Sequence, residues 1–120
     1  MAHITSRTGV RIAGTGSALP SRVLSNAELT TMMDTTDEWI VQRTGIHTRY
    51  VVDPAKGEST PTLAASALRA ALADARVDPA QLDLIICATM TPNMACPATA
   101  CQVADLCGLG RCGAFDLNAA

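Results

Sequence analysis

Between residues 61 and 75 the apolar side chains Leu63, Ala67, Leu68, Ala71, Leu72 and Ala75 recur at helical spacing, while Arg69, Asp74 and Arg76 fall off that stripe or at its end. With Thr60 able to cap and Pro61 suited to a first helical position, the pattern predicts a helix over 61–75. The period changes downstream. Residues 82–89 form an almost unbroken apolar run with β-branched members, which suits a strand covered on both faces. Residues 91–97 read as a loop, Pro97 opens a second alanine-rich helix that ends at Gly108, and 113–118 read as another strand. Upstream, 10–13 is a short predicted strand running into Gly14-Thr-Gly16, 47–52 a β run and 53–57 a turn. Strand, helix, strand, helix, strand implies a parallel α/β arrangement.

Two short helices are signalled by polar residues rather than by a stripe. Ser25 with Glu28 makes a capping box opening a helix over 25–33. Thr35 with Glu38 makes another, Asp37 adds charge to the first turn, and Gly45 is a suitable stop after Thr44. On this second helix Trp39, the chain's one tryptophan, and Arg43 stand four residues apart and so on one face. A flat ring beside a planar cation can stack a nucleotide base and hold a phosphate. The same pair also suits an arginine lying over a tryptophan in ordinary packing, and the residues alone favour that plainer reading.

Composition narrows the classes. The 120 residues suit one modest domain, and 48% hydrophobic with 2% aromatic content means a core of Ala, Val, Leu and Ile. A net charge of −2 with scattered Lys and Arg offers no basic stripe for nucleic acid and no cationic face for a membrane. No apolar run reaches spanning length and the first seven residues lack a signal-type hydrophobic region, so a cytoplasmic location is expected. Five cysteines, Cys87, Cys96, Cys101, Cys107 and Cys112, contain no Cys-x-x-Cys pair, which disfavours zinc, and each is expected to be a small buried apolar group. Neither His3 nor His47 forms a visible catalytic pair. The Gly14-x-Gly16 pair lacks the third glycine of a dinucleotide loop, and Pro20 breaks the chain where the phosphate-binding helix should start.

Five stretches in order, Gly14-Thr-Gly-Ser-Ala-Leu-Pro20, Asp34-Thr-Thr-Asp-Glu-Trp-Ile40, Arg43-Thr-Gly-Ile46, Pro97-Ala-Thr-Ala-Cys-Gln102 and Ala114-Phe-Asp-Leu-Asn-Ala-Ala120, closely resemble the N-terminal third of β-ketoacyl-acyl carrier protein synthase III. The resemblance implies an α/β, thiolase-like fold, with 1–120 as the N-terminal part of the domain, incomplete at its C-terminus and truncated before the nucleophile helix. It implies a decarboxylating Claisen condensation of an acyl-CoA primer with malonyl-acyl carrier protein, which starts fatty acid synthesis, in a homodimer with no further cofactor. By the resemblance, Trp39 would stack the CoA adenine, Arg43 and Thr35 would contact the nucleotide or its phosphates, and Thr44 would lie beside them at the tunnel mouth. Nucleotide contact then becomes the favoured reading of the Trp39 and Arg43 pair.

The family's nucleophilic cysteine follows the Asn-Ala-Ala run, and its His and Asn come later, so the 120 residues alone are expected to be inactive and no cysteine present is a candidate nucleophile. In relatives the loop matching 91–97 crosses the dimer interface, and the position of Cys96 often carries a bulky Phe that shortens the partner's acyl pocket. The smaller Cys96 implies tolerance of primers longer than acetyl. Two alternatives remain open: a related acyltransferase of polyketide or other secondary metabolism, and a non-catalytic α/β interaction module.

Overall fold

The computed structural model describes residues 9–118. The first seven residues, in which a signal-type segment is not expected, and the last two alanines of the Asn-Ala-Ala run lie outside them. Two small sheets organise the chain. Strand β1 (Arg22–Ser25) pairs antiparallel with β2 (Thr48–Val51), Arg22 opposite Val51 and Ser25 opposite Thr48. Helices α1 (Asn26–Leu29) and α2 (Asp37–Thr44) fill the connection between them. After helix α3 (Thr60–Ala75), strand β3 (Leu84–Ala88) crosses over through helix α4 (Thr99–Leu106) to β4 (Gly113–Leu117), and the two strands pair in parallel.

The expected cap of α3 shifts by one residue. Ser59, extended at φ −159° and ψ 168°, accepts from the Thr62 N–H, and Thr62 in turn accepts from the Ser59 N–H at 2.8 Å. Two of the helix's first donors are thereby satisfied. The buried face is broader than the predicted stripe: Leu72 is buried as expected at 8% exposure, but Ala65, outside that stripe, is more enclosed at 1%. Ala65 belongs to the contact with α4, where the Cys107 Sγ lies 3.7 Å from its carbonyl oxygen.

The predicted strand over 10–13 does not form. Residues 9–20 have no regular structure, and Val10 and Ile12 are exposed. The segment instead runs against α3. A Cβ at Gly16 would lie 2.3 Å from the Ala71 nitrogen, and one at Gly14 2.5 Å from the Ala75 nitrogen. These glycines therefore let two backbones touch, which is a packing role and not a phosphate cradle. The Thr15 N–H adds a 2.9 Å bond to Asp74 Oδ2.

Strands β3 and β4 correct another expectation. Burial alternates along both: Ile85, Cys87, Ala114 and Asp116 are half-buried, whereas Leu84, Ile86, Phe115 and Leu117 are exposed. The apolar run is thus covered on one face only among the described residues. Helix α4 starts at Thr99 rather than Pro97, and its N-cap residue Ala98 has no side chain able to cap. Asp116 does that work from β4, accepting the Thr99 and Ala100 N–H groups at 2.7 Å each. Partial burial pushes its carboxyl pKa up, but these two N–H donors outweigh it and hold the group below its ordinary value. None of the five cysteines is fully buried, contrary to expectation: Cys96 and Cys101 are exposed and the others half-buried. Helix α1 is likewise shorter than the predicted 25–33. Its capping box forms, but the Thr30 and Thr31 hydroxyls bond back to the Ala27 and Glu28 carbonyls, and the chain turns away.

Candidate functional site

Helix α2 carries the candidate site. Its cap is Thr36 and not Thr35: Thr36 is extended at φ −131° and ψ 156°, and its hydroxyl accepts from the Trp39 N–H at 3.1 Å. The spacing from Thr35 to Glu38 resembles a capping box, but the helix begins at Asp37, so its third position is Trp39. The predicted stop holds. Gly45 adopts φ 69° and its N–H donates to the Val41 carbonyl at 2.8 Å, a left-handed end that glycine adopts without penalty.

On this two-turn helix the Arg43 guanidinium carbon lies 5.0 Å from the centre of the Trp39 ring. Trp39 is 54% exposed, while its neighbour Ile40 faces inward at 8%. One helix therefore anchors itself with an isoleucine and shows its tryptophan to solvent. Asp34, Thr35, Thr36 and Trp39 line a cavity of about 280 Å³. The Thr35 Oγ1 is shielded from solvent and has no hydrogen-bond partner. An orphaned, shielded hydroxyl is a standing energetic cost.

The sequence-derived residues do not all behave alike. Thr35, Trp39 and Arg43 gather at the cavity and its adjoining ring. Thr44 follows directly, but its hydroxyl is occupied, donating to the Ile40 carbonyl at 2.7 Å and accepting from the Ile46 N–H at 3.1 Å. Cys96 belongs to the loop before α4, exposed and joined to Pro97 by a cis peptide. That loop is braced by Gln102, which exchanges amide hydrogen bonds with Asn93 at 3.1 and 3.2 Å and donates to the Pro97 carbonyl at 3.1 Å.

Sequence reasoning missed the polar support beneath α2. Asn26, 2% exposed, donates from Nδ2 to Asp37 Oδ1 at 2.6 Å and to the Ile46 carbonyl at 2.9 Å. Its Oδ1 accepts from Arg49 at 2.5 Å, and its backbone N–H donates to the His47 carbonyl at 3.2 Å. These partners lie 11 to 23 residues away, beyond any local spacing rule. Chemically, the exposed face of α2 offers a planar π surface and a cation, with the shielded, unpartnered Thr35 hydroxyl just ahead of the helix, a set suited to a planar heteroaromatic ligand bearing negative charge. Among the described residues, no group of three or more His, Cys, Asp or Glu side chains could hold a metal ion, and no helix is long and apolar enough to cross a membrane.

No family model matches the chain. Individual relatives do. The β-ketoacyl-[acyl-carrier-protein] synthase III of Novosphingobium aromaticivorans is 55% identical over 108 residues, 90% of this chain and 33% of that protein. The enzyme of the same name from Xylella fastidiosa is 48% identical over 117 residues, 98% of this chain and 36% of that one. Among solved structures, 3-oxoacyl-[acyl-carrier-protein] synthase III from Aquifex aeolicus superposes with a TM-score of 0.86 at 42% identity, covering 92% of this chain and 35% of its own. The priming β-ketosynthase of the R1128 polyketide pathway gives 0.84 at 40% identity, covering 91% and 32%. The chain spans about a third of the length of the curated relatives it matches. Its partial α/β fold is the corresponding part of the thiolase-like fold. In sequence and in architecture the chain is the counterpart of the N-terminal third of the condensing enzymes named β-ketoacyl-acyl carrier protein synthase III.

Proposed function

We propose that this chain forms the primer-binding part of a condensing enzyme that joins an acyl group from acyl-CoA to malonyl-acyl carrier protein, with loss of carbon dioxide, to begin fatty acid synthesis. The whole of 1–120 would act as the N-terminal part of one thiolase-like domain, in a cytoplasmic homodimer. The observation that carries the reading is the solvent-facing Trp39 ring with Arg43 5.0 Å from its centre, beside a cavity lined by Asp34, Thr35 and Thr36. Trp39 would stack the adenine, Arg43 would meet the phosphates, and Thr35 would supply a hydrogen bond. Thr44, its hydroxyl engaged within the helix end, would contribute shape at the rim.

Calorimetric titration with acetyl-CoA tests the reading: saturable binding competed by ADP is expected, and no binding would overturn it. Cys96 bears on primer length. In the full-length enzyme, replacing it with the bulkier Phe (C96F) should depress turnover of longer acyl-CoA primers several-fold while sparing acetyl-CoA, and an unchanged chain-length profile would remove Cys96 from the acyl pocket.

A second reading rests on one specific observation, the likeness to the R1128 priming ketosynthase at nearly the same TM-score as the Aquifex enzyme. In it the same CoA contacts serve polyketide priming. Turnover with acyl carrier proteins of the two kinds of pathway separates them.

A further inference from the structure

The Asn26 carboxamide reaches both ends of α2. One Nδ2 hydrogen bond goes to Asp37, the first residue of the helix, and the other to the Ile46 carbonyl, two residues after its last. The orientation of the amide is fixed by its neighbours. Arg49 can only donate, so Oδ1 must face it, while the Asp37 carboxylate and the Ile46 carbonyl accept, so Nδ2 must face them. Arg49 is tied in turn to the hairpin through the Leu24 carbonyl at 3.3 Å. Every polar atom of a 2%-exposed side chain is thus satisfied, the condition under which a buried polar network specifies one arrangement.

Between the two anchored ends lie Trp39 and Arg43. An eight-residue helix has little packing of its own, and Ile40 is the one buried residue of α2. Isoleucine packing resists separation but is non-directional. Hydrogen bonds at both ends resist rotation about the helix axis, the motion that would carry the Trp39 ring away from the cavity. We infer that Asn26 is a positioning residue for the nucleotide-binding face, setting the angle of α2 on the β1–β2 hairpin through Asp37, Ile46 and Arg49. This inference rests on the reading of Trp39 and Arg43 as a CoA contact.

The test measures coenzyme A affinity by calorimetry, with circular dichroism confirming that each variant is more than about 95% folded at the working temperature. Asn26→Asp keeps the size and the acceptor for Arg49 but removes both donors, and sets a second carboxylate against Asp37. About tenfold weaker binding is expected, a loss that the small unfolded fraction cannot produce. At the exposed Asp37, Asp37→Ala removes the acceptor and should weaken binding about fivefold. Asp37→Asn keeps an acceptor oxygen and deletes one negative charge near an anionic ligand, so binding should stay within twofold of the parent or tighten. Should Asn26→Asp fail to fold, the two Asp37 variants decide alone. Parental affinity in Asn26→Asp, or equal losses in Asp37→Ala and Asp37→Asn, would overturn the positioning role while leaving the CoA site intact. No binding by the parent would sink the CoA reading and this inference with it.

Discussion

The hairpin unit of β1, α1, α2 and β2 and the layered unit of α3, β3, α4 and β4 solve the same packing problem by opposite means. In the layered unit the buried apolar positions are Ala65, Leu72, Ala100 and Val103, mostly small, and the Gly14 and Gly16 segment touches the α3 backbone directly. Close approach does the holding there. The hairpin unit buries Leu24 and Ile40 but is oriented by hydrogen bonds from a buried amide. A helix that must keep a tryptophan in solvent cannot be fixed by burial alone, so directional bonds take over where the apolar stripe is narrow.

Gly16 offers the severest way to break the contrast. Gly16→Val would push side-chain atoms into the α3 backbone and should cost about 3 kcal/mol of stability, read by chemical denaturation, while coenzyme A affinity per folded molecule stays the same. If affinity fell as steeply as stability, the two units would not be independent. Trp39→Ala is the mirror experiment. Losing an aromatic stacking platform should weaken coenzyme A binding by about 2 kcal/mol, roughly 30-fold, with little change in unfolding, because the side chain is already half exposed. A loss of stability with affinity retained would return the tryptophan to plain packing.

Smaller effects sharpen the picture. Thr36→Ala removes the cap of α2 and should cost about 1 kcal/mol; the equivalent change at Thr35, which caps nothing, should cost no stability and should weaken only binding. Asp116 gives a pH signature in the layered unit. Its folded-state pKa lies below the ordinary value of 3.8, so its contribution is present above pH 3.8 and disappears as pH falls through the lower, folded value. Asp116→Asn should flatten the stability profile below pH 3.8 and leave it unchanged in shape near neutrality.

How much of this was legible in the sequence depended on distance along the chain. Trp39 and Arg43 are four residues apart and Gly45 follows at once, so helix geometry alone paired the first two and placed the stop. The extent of α3 and the parallel pairing of β3 with β4 were likewise written in local periods. The segment 10–13 carries the composition of a strand, but a strand exists only with a bonded neighbour, and it has none among the described residues. Asn26 and Asp116 were invisible for a related reason: each acts on residues 11 to 23 positions away, and asparagine or aspartate in a hydrophobic setting announces no partner. Thr35 and Thr36 fit nearly the same capping rule, and only the start of the helix at Asp37 makes Thr36 the cap.

Trp39 is the sole tryptophan of these 120 residues, and it stands half in water beneath a guanidinium. Excited beyond the absorption of Tyr50, the emission of the chain is therefore a private signal from the candidate site, undiluted by any other indole. A base sliding onto the ring would quench it and an emptied site would restore it, so occupancy can be followed in real time without attaching a dye.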